Sequence, residues 1–299
     1  MMNNAVTLYA RARPGFDERA SSALALLQQA AHRHPGRIVL STSLGVEDMV
    51  LTDLIARHQV PIALATLDTG MLHPETLALL LRLEARYGLS VERWVPHKSQ
   101  VIEFVSHHGD LAMRQSVDLR KACCGMRKLE PLARLLAGRT AWVTGLRRDQ
   151  SGARADVPLT SLDDLGREKI SPLAEWSLAD VWHYVQLHAV PYNPLHDQFY
   201  PSIGCAPCTR AVAMGEDIRA GRWWWENESA KECGLHSSPH ATGAAAPAGL
   251  RSAAIGAVAS AQAHIGAADV KGPPAPGRSQ SESDQKMGSP ASQPREVPA

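Results

Sequence analysis

Cys205-Ala206-Pro207-Cys208, the adjacent pair Cys123-Cys124 and the solitary Cys233 hold all five cysteines of this 299-residue chain. Thiolates are soft ligands for iron-sulfur clusters and zinc, and they are nucleophiles where neighbouring cations lower their pKa. Four thiols close a metal site and leave one over for chemistry. The two pairs are separated by 80 residues, so only the tertiary fold can bring them to one centre. A vicinal pair and a C-x-x-C with a proline inside it are hard to explain as packing. An odd count reads poorly as a disulfide framework and better as reduced thiols. Zinc sites usually draw on two spaced knuckles, which Cys123-Cys124 does not provide; iron-sulfur is favoured and zinc stays open.

The fifth cysteine sits in a cationic and aromatic stretch. Arg219-Ala220-Gly221-Arg222 leads into Trp223-Trp224-Trp225 and then Lys231-Glu232-Cys233-Gly234-Leu235-His236. A thiol beside Arg, Lys and His ionises early and is available for attack at neutral pH. Gly234 gives the backbone freedom to approach a substrate or swing away.

These groups need a scaffold, and the apolar pattern supplies one. A helix is predicted from about Phe16 to His32, followed by a buried strand at Ile38-Val39-Leu40. That strand runs into Ser41-Thr42-Ser43-Leu44-Gly45-Val46-Glu47-Asp48 before another helix, and such a small-residue turn at a helix N-terminus can cradle an anion. A second strand, Pro61 to Leu67, ends in Asp68-Thr69-Gly70 and a helix from Pro74 to Arg86. Val91 to Val95 and Ala141 to Thr144 are further strands. The alternation predicts an α/β fold, a parallel sheet with helices on both faces and ligands at the carboxyl ends of its strands. Asp68-Thr69-Gly70 and Arg147-Arg148-Asp149-Gln150 both fall on that edge. Cys123 and Cys124 are placed near the start of a helix running through Lys128 to Leu135, and Ser177 caps a structural helix carrying Trp182.

Composition sets the limits. Hydrophobic residues make up 44% of the chain, enough for a core, but the last aromatic is Trp225. Residues 237–299 are rich in Ala, Gly, Pro and Ser and cannot pack one, so they are expected to be a disordered tail. The folded domain is 1–236, with a flexible C-terminal arm at about 210–236. A net charge of +1 gives no reason to expect nucleic acid or an anionic membrane, so any anion site must be local. No secretory leader or membrane span is visible, and a cytoplasmic enzyme is expected.

Taken together, Ser41 to Asp48, Leu67-Asp68-Thr69-Gly70-Met71-Leu72-His73, Cys123 to Lys128, Gly145 to Ser151, Ile203 to Arg210 and Glu232 to His236 resemble the assimilatory adenylyl-sulfate reductases, in order across residues 36–236. The resemblance implies a Rossmann-like fold of the adenine-nucleotide pyrophosphatase-loop type. It implies adenosine 5′-phosphosulfate as substrate and a 4Fe-4S cluster on Cys123, Cys124, Cys205 and Cys208, because relatives acting on the 3′-phosphorylated nucleotide usually lack both pairs. It places the nucleotide on the loop holding Ser41, Ser43, Gly45, Glu47 and Asp48 and on the turn of Leu67, Asp68 and Gly70. Lys128, Arg147, Arg154, Arg219, Arg222 and His236 stand as groups around the substrate, with Cys233, Lys128 and His236 catalytic.

The implied reaction begins with attack of Cys233 on sulfur. AMP departs, an S-sulfonate forms, and thioredoxin (or glutaredoxin) releases sulfite. The single Gly45 departs from the Ser-Gly-Gly loop of ATP-cleaving enzymes, and about sixty residues after His236 exceed the expected end. With no cysteine beyond Cys233, that tail cannot donate electrons. A homo-oligomer is expected from the family. The alternatives are a 3′-phosphoadenylyl-sulfate reductase, an ATP-dependent tRNA sulfur-insertion enzyme, which would need a basic surface, or a cluster-bearing sensor module.

Overall fold

Ile38, Val39 and Leu40 are all buried, and this run forms the central strand β1 (Ile38–Thr42). The computed structural model describes residues 4–226, all within the first of the chain's two units, Met1–Thr242. Around β1 stand β2 (Ala63–Leu67), β3 (Val91–Trp94), β4 (Ala141–Val143), β5 (Thr160–Leu162) and β6 (Glu168–Ile170), in the order β3-β2-β1-β4-β6-β5. All neighbours run parallel except β5, which pairs antiparallel with β6 at the edge. Register is tight at the centre, where Val39 faces Ala63 on one side and Trp142 on the other.

Strand alternation divides the core in two. Ile38, Leu40, Leu64, Ala141 and Val143 point to a large cluster built with helices α2 (Phe16–Arg33), α3 (Val46–Arg57), α4 (Pro74–Tyr87) and α8 (Leu178–His188). Val39, Ala65 and Trp142 point to the other face, where Leu132 and Leu135 of α7 (Glu130–Leu135) cover them. Helices therefore lie on both faces, as the apolar runs predict. The remaining helices are α1 (Ala5–Tyr9), α5 (Lys98–His108) and α6 (Val117–Cys124).

Local chemistry sets the ends of these elements. Pro74 opens α4 and Gly88 closes it at φ 63°, a left-handed cap that glycine adopts without strain. Ser177 caps α8, accepting from the Asp180 N–H while the Asp180 carboxylate accepts from the Ser177 N–H. Trp182 is buried in the core, as expected of a structural residue.

One expected helix is different. Cys123 and Cys124 do not begin a helix; they end α6, and a single π-helical turn, Gly125–Leu129, joins it to α7. The apolar spacing runs through the join, so the extra residue of the wider turn is invisible in the pattern. Such turns are frequent at functional sites.

Candidate active site

The chain leaves β1 toward β2 on one side, while β4 leads to β6 on the other. The carboxyl ends of β1 and β4 thus part, and that is where open α/β sheets bind ligands. A cavity of about 220 Å³ opens there, lined by Ser41 and Thr42 at the end of β1 and Ser43 after it, Thr66 and Leu67 on β2, and Thr144 and Gly145 after β4. Leu44 turns the chain at φ 60° and Gly45 caps α3. A leucine in this left-handed region costs about 1–2 kcal/mol, and the buried side chain offsets it.

Glu47 and Asp48, expected among the substrate ligands, line the cavity but spend their oxygens on the protein. Asp48 Oδ2 accepts from the backbone N–H and the Oγ of Ser43, both at 2.6 Å. Burial pushes its pKa up to about 6 against the hydrogen bonds from Ser43 and the Gly145 backbone. Burial would raise Glu47 too, but Arg147 beside it and the Gln150 hydrogen bond hold it below the usual carboxylate value. Arg147 Nε and Nη2 each reach Glu47 Oε1 at 3.0 Å, and Gln150 Nε2 donates at 3.1 Å. Both carboxylates are struts that fasten the loop after β1 to the loop after β4. Gly145 makes this closeness possible: a Cβ there would fall on the Asp48 carboxylate and lie 2.9 Å from Glu47 Cβ.

The two cysteine pairs meet beside this cavity. Cys123, Cys124, Cys205 and Cys208 are buried thiols, and Cys123, Cys205 and Cys208 share a small cluster with Met113 and Trp223. Burial and the neighbouring Cys205 push the Cys208 thiol up to about 12, opposed by the nearby Lys128; Cys124 and Cys123 add to the rise. Burial and Cys124 likewise raise Cys123, while Arg127 lowers it. The four thiols are thus mutual electrostatic neighbours. Among the described residues no group of three or more His, Cys, Asp or Glu side chains is already arranged around a single ion position.

Three segments lock the second pair in place. The Ala206 N–H donates to the Met71 carbonyl at 2.8 Å, and Arg114 Nη2 donates to the Pro207 carbonyl at 2.9 Å. The Trp223 N–H donates to the Cys208 carbonyl at 3.1 Å. The start of the expected arm therefore folds back on the cysteine turn, with Arg120 and Arg222 over the Trp223 ring at 4.8 and 4.7 Å. Arg120 Nε also pairs with Glu226 at 2.7 Å, both fully or nearly buried. Arg222 lies so close over Gly204 that a Cβ there would meet its guanidinium carbon at 2.6 Å.

Lys128, Arg147, Arg154, Arg219 and Arg222 all line the cavity, against only two carboxylates, so a local cationic surplus exists in a nearly neutral chain. Lys128 lies on the π turn and faces both Cys208 and the cavity, which Cys205 also lines. This arrangement suits a nucleotide with a strongly anionic end.

Residues 37–211 match the phosphoadenosine phosphosulfate reductase domain. The adenosine 5′-phosphosulfate reductase of Allochromatium vinosum is 55% identical over 219 residues, covering 73% of this chain and 85% of that protein. The chain belongs to the adenosine 5′-phosphosulfate reductase family. A Burkholderia cepacia protein of the same name is 51% identical, over 71% of this chain and 85% of that one. Among solved structures, a phosphoadenylyl-sulfate reductase from Candida auris in a phosphate complex is 28% identical, with a TM-score of 0.55 over 68% of this chain and 98% of that one.

The span matched to the reductase domain contains both loops and all four paired cysteines, while Arg219, Arg222 and Cys233 follow it. Asp68 and Gly70 shape the turn after β2, the Gly70 N–H donating to Asp68 Oδ1 at 3.0 Å, and neither is among the residues lining the cavity. Cys233 and His236 lie outside the described residues, as does the tail from 237. Sequence reasoning set Thr69 and Gln150 on the ligand edge without giving them a role, and it gave none to Arg127 or His196. Thr69 and Arg127 fall inside motifs that stand out in the sequence, but their role depends on one another: Arg127 Nη1 donates to the Thr69 carbonyl at 2.7 Å.

Proposed function

We propose that this chain reduces adenosine 5′-phosphosulfate to sulfite and AMP, with Cys233 as nucleophile and an external dithiol of the thioredoxin type as reductant. One observation carries the reading: the strand-edge cavity and the gathered thiols share a wall made by Cys205 and Lys128. The family relatives, named for this substrate, support it.

The Cys233 thiolate attacks sulfur, the bond from sulfur to the bridging phosphate oxygen breaks, and AMP leaves with the electron pair. Cys233 is left as an S-sulfonate. A donor thiolate attacks the Cys233 sulfur, sulfite departs with the S–S electrons, and the donor's second thiol frees Cys233 while forming a disulfide. Two thiols are oxidised and sulfate is reduced by two electrons, so the balance closes. Lys128 and the arginines offset the charge building on the leaving phosphate. Charge-assisted hydrogen bonds are worth about 1.5–3 kcal/mol each, so two or three supply several orders of magnitude in rate.

Cys123, Cys124, Cys205 and Cys208 are proposed to hold a 4Fe-4S cluster. Zinc would draw all four sulfurs to about 2.3 Å from one centre, whereas in a cluster each thiolate takes its own iron, which suits a vicinal pair joined to a distant C-x-x-C. Thiols that raise one another's pKa are released from that penalty when metal displaces their protons. When bound, the cluster ties two distant segments together and sets the charge that Lys128 faces; the electrons come from thiols.

The 1–236 domain with its arm at about 210–236, a homo-oligomer and a cytoplasmic setting complete the reading. Reduced thiols suit that compartment, and among the described residues no helix is long and apolar enough to cross a membrane. Incubating anaerobically purified protein with ³⁵S-labelled adenosine 5′-phosphosulfate should trap label on Cys233 and release it as sulfite on adding thioredoxin. Label that never becomes protein-bound, or turnover that survives C233S, would refute it.

A further inference from the structure

His196 sits in the short helical turn Pro194–Gln198, 5% exposed, with Trp182 edge-on at 5.2 Å. It lines the cavity, yet its Nε2 has no hydrogen-bond partner among the described residues. Buried nitrogens are rarely left so, because an unmade hydrogen bond is costly. Burial holds the ring's pKa down to about 4, so it is neutral at pH 7, with one nitrogen donating and the other accepting. A hydrogen bond with the Tyr200 backbone favours the charged ring, as an accepting carbonyl would. Nδ1 is not among the unpartnered buried nitrogens and Nε2 is, so with the proton placed on Nδ1 the lone pair is on Nε2.

The rest of the cavity tells which part of a nucleotide meets that lone pair. Leu67, Leu132 and Trp142 form an apolar wall fit for a flat base. The N-terminus of α3, capped by Gly45, is the place for phosphate. His196 feels Glu47 in the first turn of α3, so it stands near the polar end. Between base and phosphate lies the sugar, whose hydroxyls are donors.

We propose that His196 Nε2 accepts a hydrogen bond from a ribose hydroxyl of the bound nucleotide and thereby selects an unphosphorylated ribose. The proposal rests on the nucleotide reading above. A phosphate at that hydroxyl has no proton to give, so it leaves the Nε2 lone pair unmet, and Arg147 is not available to receive its charge, being shared among Glu47, Asp149 and the Trp176 carbonyl.

The test is calorimetric titration of the full chain with AMP, 2′-deoxy-AMP, 3′-deoxy-AMP and adenosine 3′,5′-bisphosphate, for the wild type, H196F and H196Q. Removing or phosphorylating the engaged hydroxyl should weaken wild-type binding about tenfold or more. H196F, which keeps a ring but no acceptor, should bind AMP about tenfold more weakly and lose that discrimination, and H196Q should retain part of it. Equal wild-type affinity for AMP and both deoxy forms overturns the proposal. So does an H196F that weakens every nucleotide alike; if it fails to fold, H196Q and the wild-type series decide. A wild type that binds no adenine nucleotide sinks the functional reading as well, which tells the two failures apart.

Discussion

Thr69 Oγ1 lies 3.3 Å from the Sγ of Cys205, joining the turn after β2 to the second cysteine pair. Its carbonyl also takes a hydrogen bond from Arg127, which follows the first pair. One threonine thus reports on nucleotide turn and cysteine nest together. T69V should fold but lower sulfite formation about tenfold, the worth of one hydrogen bond to a charged sulfur, while AMP affinity changes little. T69S should restore the rate. Steady-state assays beside AMP titrations would check this, and a T69V enzyme with unaltered turnover would remove Thr69 from the site.

Gly145 has no room for a methyl group between the two acidic struts. G145A should lose about 1–3 kcal/mol of stability by overpacking and bind nucleotide at least tenfold more weakly. Gly152 is the control, because a Cβ added there would meet nothing within 4 Å, and G152A should match the wild type. Thermal melts and AMP titration measure both.

Asp48 holds the Ser43 loop only while it is a carboxylate, and burial brings its pKa up to about 6. Protonation therefore removes acceptor strength as pH falls through about 6, not near the ordinary 3.8. Affinity for adenosine 5′-phosphosulfate, measured in a C233S background to prevent turnover, should fall across that step. D48N should be weaker throughout and flat with pH over this range. A wild-type profile without the step would contradict the strut.

Lys128 faces both the cavity and Cys208. K128A should cut kcat about 10–100-fold, the range for one charge-assisted hydrogen bond, with AMP affinity much less affected. K128R should recover part of it. Stopped-assay kinetics separate these effects; a K128A defect confined to KM would make Lys128 a ground-state ligand only.

Breaking the Arg120–Glu226 pair takes the carboxylate partner from a guanidinium that is held inside the protein. E226A should cost about 3–5 kcal/mol, read as loss of melting temperature and denaturant midpoint. An unchanged midpoint would mean that the pair does not anchor the arm.

Much of this was legible because burial on both faces leaves an unbroken apolar run. Ile38 to Leu40 and Ala141 to Val143 show that pattern, and they form β1 and β4. The hairpin of β5 and β6 was not legible, since its only fully buried strand residue is Ile170 and its edge strand, Thr160–Leu162, has no buried position. Cysteine spacing announced the nest, because soft ligands in pairs are rare by chance. Whether a carboxylate in a nucleotide loop is a ligand or a strut depends on its partners. For Glu47 these are Arg147 and Gln150, about a hundred residues away, which no local pattern reveals. His196 looked like any histidine in a proline-rich turn; what sets it apart is a buried nitrogen, without a partner among the described residues, on a side chain that lines the cavity.

With two guanidinium groups packed on the Trp223 ring and Glu226 fixed by Arg120, the chain is moored at the rim of the cavity. Cys233 follows Glu226 by seven residues, and a stretched backbone advances about 3.3–3.6 Å per residue, so it stays within roughly 25 Å of that mooring whatever path the chain takes between them. Tethering at that radius gives a local concentration in the millimolar range or above. In the proposed mechanism, attack of Cys233 on bound nucleotide is then a unimolecular event, and the same reach allows the proposed S-sulfonate to meet a protein reductant too bulky to enter.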